Sequence, residues 1–246
     1  MDALTTAAAG GIQSRMEALD MLANNLANTS SSGFKADREF YTTYMAPELG
    51  SEANPIVGET PLVQQHWTDF SQGNLVKSGN ETDLALSGSG FFAVNGPNST
   101  LYTRNGNFHV TSQGVLATAE GYPVRLSSGE IVQTQPGEAI VVGKDGQVSQ
   151  GANVIGKLAI VDFKDPHQLG KAGSTYFATS DPKAGPDGTA TAEVYQGSAE
   201  TSNAAPAESA ARMVTLLRSF EMLQNAIKIG TEMNRHAVED VARVSA

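Results

Sequence analysis

Four histidines and no cysteine set the limits of reactive chemistry in this 246-residue chain. His66, His109, His167 and His236 fall in four separate segments, and no two share the spacing of metal ligands on one helix or hairpin. Without Cys there is no disulfide, no thiolate zinc site and no cysteine nucleophile. A metal would need His and carboxylates gathered across the fold, and nothing in the pattern gathers them. His109 alternates with Phe108 and Val110 and reads as the solvent side of a strand. Two carboxylate pairs, Asp162 with Asp165 and Asp181 with Asp187, flank Pro and Gly turns. There Asp bonds to nearby backbone, which outweighs acid–base work. Gly88-Ser89-Gly90 lacks the third Gly of a dinucleotide fingerprint and leads into β-rich sequence rather than a helix. Neither a nucleophile elbow nor a P-loop lysine pattern occurs. The residues therefore predict no enzyme, no metal, no cofactor and no small-molecule substrate.

Interaction surfaces are the better use of this sequence. Lys and Arg number 16 against 26 Asp and Glu, a net charge of −10 that repels nucleic acid. The charge is uneven. Residues 1–40 hold three basic and five acidic side chains and residues 200–246 hold five and six, leaving eight and fifteen of the 16 and 26 for residues 41–199. Nearly neutral ends thus bracket an acidic middle. No stretch reaches the run of about 18 to 20 apolar residues of a membrane span. The start, Met1-Asp2-Ala3-Leu4, lacks the basic and apolar blocks of a secretory signal.

The ends read as helices. Thr5, Ala8, Ile12, Leu19, Leu22 and Leu26 form a stripe through the first 28 residues, a helix roughly 35–40 Å long that stops at Asn28-Thr29-Ser30-Ser31-Ser32-Gly33. After Pro206, Met213, Leu217, Phe220, Leu223, Ile227 and Gly230 form a second, longer stripe with the length of coiled-coil packing. Residues 34–75 read as extended and irregular. From about residue 76 short strands alternate with turns. Asp83–Leu86 and Phe91–Val94 flank Ser87-Gly88-Ser89-Gly90. Leu101–Arg104 and Asn107–Val110 flank Asn105-Gly106, a strong hairpin signal. Ile140–Val142 and Gln147–Ser149 flank another turn, and Val154–Phe163 reads as one longer strand. The fold class is α+β: N- and C-terminal helices paired as a coiled coil, with an all-β central domain inserted between them. A lone helix pair makes a thin core, so further copies of the chain are expected to complete it.

Several segments resemble the bacterial flagellar rod and hook proteins. Leu22-Ala23-Asn24-Asn25-Leu26-Ala27-Asn28 followed by Ser32-Gly33-Phe34-Lys35 is similar to that family's N-terminal signature. Asp83-Leu84-Ala85-Leu86-Ser87-Gly88-Ser89-Gly90-Phe91-Phe92-Ala93-Val94, Tyr102-Thr103-Arg104-Asn105-Gly106-Asn107-Phe108 and Gly121-Tyr122-Pro123-Val124 are similar to its central motifs. Gly197 and Glu200-Thr201-Ser202-Asn203 precede the last helix as in the family. The resemblance spans nearly the whole chain in the family's order.

The resemblance implies a structural subunit of the basal-body rod that self-assembles helically into a hollow axial shaft and transmits torque from motor to hook. Its division would be a terminal helical, inner-tube domain of residues 1–30 and 203–246, an extended linker of 31–75 and a β-rich outer domain of 76–202. Assembly and packing would rest on Leu19, Leu22, Asn25, Leu26, Asn28, Phe34, Leu217, Phe220 and Ile227. Asn25 and Asn28 would cap or bridge backbone. The β-domain motif would rest on Asp83, Gly90, Phe91, Phe92, Tyr102, Arg104, Asn105 and Gly106, with Tyr102 to Phe108 as a structural hairpin. Implied partners are copies of itself, other rod or hook subunits and the flagellar export apparatus, without a cleavable signal peptide. Chain length and the Met1-Asp2 start favour the proximal rod type, while Phe70-Ser71-Gln72-Gly73-Asn74-Leu75 suits the distal type as well. The competing reading is a non-catalytic surface- or carbohydrate-binding β domain dimerised through a helical hairpin.

Overall fold

The computed structural model describes residues 3–44, 60–135, 137–179, 186 and 188–244. The chain divides into two compact units, one of residues 1–26, 37–67 and 205–246, the other of residues 27–36 and 68–204.

The first unit is built on two helices. Helix α1 (Ala3–Ala27) has 25 residues and α2 (Pro206–Val244) has 39, lengths of roughly 37 and 58 Å at the helical rise. Alanine-rich sequence favours α1 because Ala loses no side-chain entropy. On α2 the hydroxyls of Thr215, Ser219 and Thr231 donate to carbonyls four residues back at 3.0, 2.9 and 2.7 Å. Their polarity is thereby absorbed by the helix itself. The helices contact each other through Ala18 and Leu22 of α1 and Leu216 of α2, with Leu19 and Met213 packed around them. Leu217 is 46% exposed, and its neighbour Leu216 takes the buried position. Both residues continue a three–four spacing from Met213, and packing against the small Ala18 decides between them. Phe220 and Ile227 are half-buried. Strands Asp37–Tyr44 and Thr60–Thr68 pair as a two-stranded sheet within this unit. Residues 45–59, inside the stretch expected to be irregular, lie outside the described residues.

The second unit is β apart from one 3-10 turn at Pro166–Gln168. Its largest sheet has six strands in the order Leu169–Lys171, Tyr176–Thr179, Thr100–Thr103, Phe91–Asn95, Ile160–Asp162, Gly188–Thr189, every pairing antiparallel. Phe91 and Ala93 point into a core with Tyr102, Phe163 and Phe177. Phe92 and Val94 point the other way, into a larger core with Leu84, Leu86, Leu116 and Leu158. The unbroken apolar run Phe91–Val94 is therefore a strand buried on both faces.

Two sequence-based pairings and one strand are corrected. Asn105-Gly106 closes no hairpin: Thr100–Thr103 pairs with Phe91–Asn95 and Tyr176–Thr179, while Phe108–Val110 pairs with Leu116–Thr118. A two-residue Asn-Gly hairpin needs positive φ, and Gly106 is absent from the positive-φ glycines. Gly106 serves close approach instead. A Cβ there would overlap the Leu84 carbonyl oxygen, and Leu84 N donates to Gly106 O at 2.9 Å. The segment around Ser87–Gly90 closes no hairpin either, because Leu84–Ser87 pairs with the distant Glu193–Gln196. The expected strand Val154–Phe163 is split into Asn153–Lys157 and Ile160–Asp162, which belong to different sheets. The pairing of Ile140–Val142 with Gln147–Gln150 is antiparallel, as expected, with Val141 opposite Ser149.

Candidate functional site

A single carboxylate, Glu200, gathers distant parts of the second unit. Its Oε1 accepts from Lys35 Nζ at 2.6 Å and from Gly73 N at 2.9 Å, and its Oε2 accepts from Arg104 Nη1 at 3.3 Å. The Glu200 carbonyl accepts from Gly33 N at 2.8 Å. Lys35 Nζ also donates to Ser71 O at 2.6 Å, and Arg104 Nη2 to Gly88 O at 2.7 Å. Side-chain exposure is 0% for Lys35 and Glu200 and 5% for Arg104. The Arg104 guanidinium lies 5.4 Å from the Phe91 ring centroid, and its Nε has no hydrogen-bond partner.

Burial holds the ammonium of Lys35 below its ordinary pKa, against the opposing pull of the Glu200 charge. Arg104 is lowered for the same reason, again against Glu200. Buried charges are costly unless paired and hydrogen-bonded, so the cluster depends on Glu200.

The backbone around the cluster is equally constrained. Gly33 has φ +67°, and a Cβ there would overlap the Asn105 backbone. A Cβ on Gly73 would overlap the Thr201 carbonyl. Asn203 completes the tie. Its Oδ1 accepts from Ala36 N at 2.8 Å, and its Nδ2 donates to Asp69 O at 2.7 Å and to Ser71 O at 3.1 Å. Asp69 N donates to Ala36 O at 2.8 Å. Strand Ser198–Glu200 pairs with Leu75–Lys77 over the same region. Phe34, with no exposed surface, packs with Ala36 and Ala204. The Lys171 ammonium lies 4.6 Å from the Phe34 ring centroid.

The sequence-selected residues fall into three groups. Phe34, Phe91, Arg104 and Asn105 belong to the cluster or its lining, whereas Gly90 lies against Ala190, Val161 and Ile160 and Tyr102 packs on Phe163. Phe92 and Gly106 sit in the adjoining core, and buried Asp83 bridges to Asn107. Leu19, Leu22, Asn25, Phe220 and Ile227 belong to the first unit, where Asn25 bonds both backbone groups of Asp37, at 2.8 and 3.0 Å. Leu26 is half-buried at the end of α1. Asn28 accepts from the Ser31 hydroxyl at 3.1 Å. Gly33, Lys35, Gly73, Glu200 and Asn203 were not among the selected site residues. Their signal lay in opposite charges, Lys35 and Glu200, standing inside motifs near the two ends of the chain.

The polar groups of this arrangement are turned on one another. Both Glu200 oxygens are occupied by the protein's own donors. Asp162 and Asp165 accept from the backbone N–H groups of Phe163 and His167 at 2.9 and 3.1 Å, the turn role expected of them. Asp181 and Asp187 lie outside the described residues. Among the described residues no three His, Asp or Glu are grouped to hold a metal ion. His109 is exposed on its strand.

Fold and site together define a β unit tied by a buried ion cluster, in a chain whose ends are long helices. Residues 85–150 match the flagellar hook protein FlgE/F/G D1 domain, and residues 195–239 match the flagellar basal body rod FlgEFG protein C-terminal domain. The chain is 32% identical over 232 residues to the flagellar basal-body rod protein FlgF of Caulobacter vibrioides, covering 92% of this chain and 93% of the relative. It is 30% identical over 247 residues to the FlgG rod protein of Buchnera aphidicola from Schizaphis graminum, covering 91% and 94%. The FlgG rod protein of Borreliella burgdorferi is 30% identical over 259 residues, covering 95% and 96%. This chain belongs to the flagellar basal-body rod and hook family, of the FlgF/FlgG type.

Proposed function

We propose that the chain is a subunit of the basal-body rod, of the proximal type, that assembles helically into a hollow shaft and passes torque from motor to hook. The convergence of Gly33–Lys35, Gly73, Arg104 and Glu200–Asn203 on one buried cluster carries this reading. The chain passes between its two units after residues 26, 36, 67 and 204. Asn203 ties together the β-unit ends of three of those passages through Ala36, Asp69 and itself. A subunit that carries torque needs segments tied in this way, because force applied along one is shared by the others.

The terminal helices, within residues 1–30 and 203–246, pair as a coiled coil and form the inner domain. Residues 31–75 lead into an outer domain of 76–202. Repeated head-to-tail contacts that do not close into a ring produce a helical tube. Val214, Leu217, Met222, Ile229 and Met233 are exposed on α2, and neighbouring copies or other rod and hook subunits cover them. The subunit reaches the rod through the flagellar export apparatus.

The two adjacent leucines of α2 separate folding from assembly. Leu217→Asp in cells lacking the native chain is expected to leave monomer stability within about 0.5 kcal/mol of the parent while the chain is missing from isolated basal bodies. Leu216→Asp is expected to disrupt the helix contact itself. Incorporation of the Leu217→Asp chain at the parental level would refute the proposal.

A further inference from the structure

We propose that Glu200 makes closure of the β unit conditional on the C-terminal part of the chain, because two cations placed early in the sequence are buried against this one late carboxylate. Lys35 lies 165 residues and Arg104 lies 96 residues before Glu200. Both side chains are almost fully enclosed, and Glu200 is the carboxylate bonded to both. Without it both enclosed cations lose the carboxylate bonded to them, and removing one partner of a buried ion pair is strongly destabilising.

The strand pairings follow the same order. Leu75–Lys77 finds its partner in Ser198–Glu200, and Leu84–Ser87 finds its partner in Glu193–Gln196. Gly33 N and Ala36 N are bonded to Glu200 O and Asn203 Oδ1. Two amides at the N-terminal edge of the unit thus have their acceptors near residue 200. A chain emerging N-terminus first keeps Lys35 and Arg104 hydrated, and the unit open, until this segment arrives. The folding behaviour is independent of the rod reading. Its use during delivery through a narrow channel rests on that reading.

The test is hydrogen exchange with mass spectrometry on three full-length proteins: the parent, Glu200→Gln, and the neutral triple variant Lys35→Met/Arg104→Met/Glu200→Gln. In Glu200→Gln, exchange of segments 33–36, 71–77, 84–87 and 193–203 should accelerate by on the order of a hundred-fold or more. The triple variant should return to within about ten-fold of the parent, because replacing a whole buried ion cluster by apolar groups is far milder than removing one partner. Two outcomes overturn the proposal: parental protection in Glu200→Gln, or a triple variant as unprotected as Glu200→Gln. The second outcome would mean that hydrogen bonding and shape, not charge, make the closure. Failure of the rod reading would show instead as absence of the parent chain from basal bodies, with these exchange rates unchanged.

Discussion

Replacing Gly33 by Ala sets two costs against each other at a single carbon. The backbone at Gly33 is left-handed, φ +67°, a conformation that costs an L residue about 1–2 kcal/mol. The new Cβ would also overlap the Asn105 backbone. That neighbour has little room to yield, because Asn105 N donates to Thr103 Oγ1 at 2.9 Å and Thr103 Oγ1 donates to Thr175 O at 2.7 Å. Overpacking of this kind costs about 1–3 kcal/mol, so the total is about 2–5 kcal/mol. Gly79 provides the control. Its φ is +77°, and a Cβ there meets nothing within 4 Å. Gly79→Ala should therefore lose only the conformational part, about 1–2 kcal/mol. Native-state hydrogen exchange of strands Phe91–Asn95 and Thr100–Thr103 reads the opening free energy of the β unit in both variants. A loss equal within about 0.5 kcal/mol would refute close approach as the reason for glycine at position 33.

Two further outcomes test the same unit. Asn203→Ala removes the acceptor of Ala36 N and the donor to Asp69 O and Ser71 O; it should destabilise the unit by about 1–3 kcal/mol, with accelerated exchange at the Ala36 amide, and unchanged exchange there would count against the tie. The Tyr176 phenol is pushed above its ordinary pKa by burial and by its hydrogen bond to Glu120. In the unfolded chain it ionises near about pH 10, while the folded chain keeps the proton, so its contribution to stability is lost as pH rises past that point. Urea unfolding of Tyr176→Phe should accordingly show a shallower alkaline loss than the parent, and parallel pH profiles would contradict this assignment.

The helices were legible because a long apolar stripe has few alternatives, and α1 and α2 lie where the spacing places them. Choosing between Leu216 and Leu217 was not legible, since both satisfy the repeat and only the facing Ala18 distinguishes them. Short strands were located well by turn residues, yet their partners were misjudged where sequence neighbours were assumed to pair. Leu84–Ser87 pairs across more than a hundred residues with Glu193–Gln196, and no local signal encodes that choice. Gly106 shows the same limit: Asn-Gly marks a hairpin only when φ is positive, whereas this glycine is set by the approach of Leu84. The ion cluster was visible as separate motif residues and unreadable as a site. Lys35, Arg104 and Glu200 reveal their meeting only when the fold brings them within hydrogen-bond distance.

Electron cryomicroscopy of basal bodies isolated from cells producing this chain would show whether and how it builds the rod. Helically repeated density for the chain is expected within the rod, with α1 and α2 in its inner wall. Basal bodies with a complete rod that lacks this chain, or density showing it as a closed ring around the shaft, would contradict that expectation.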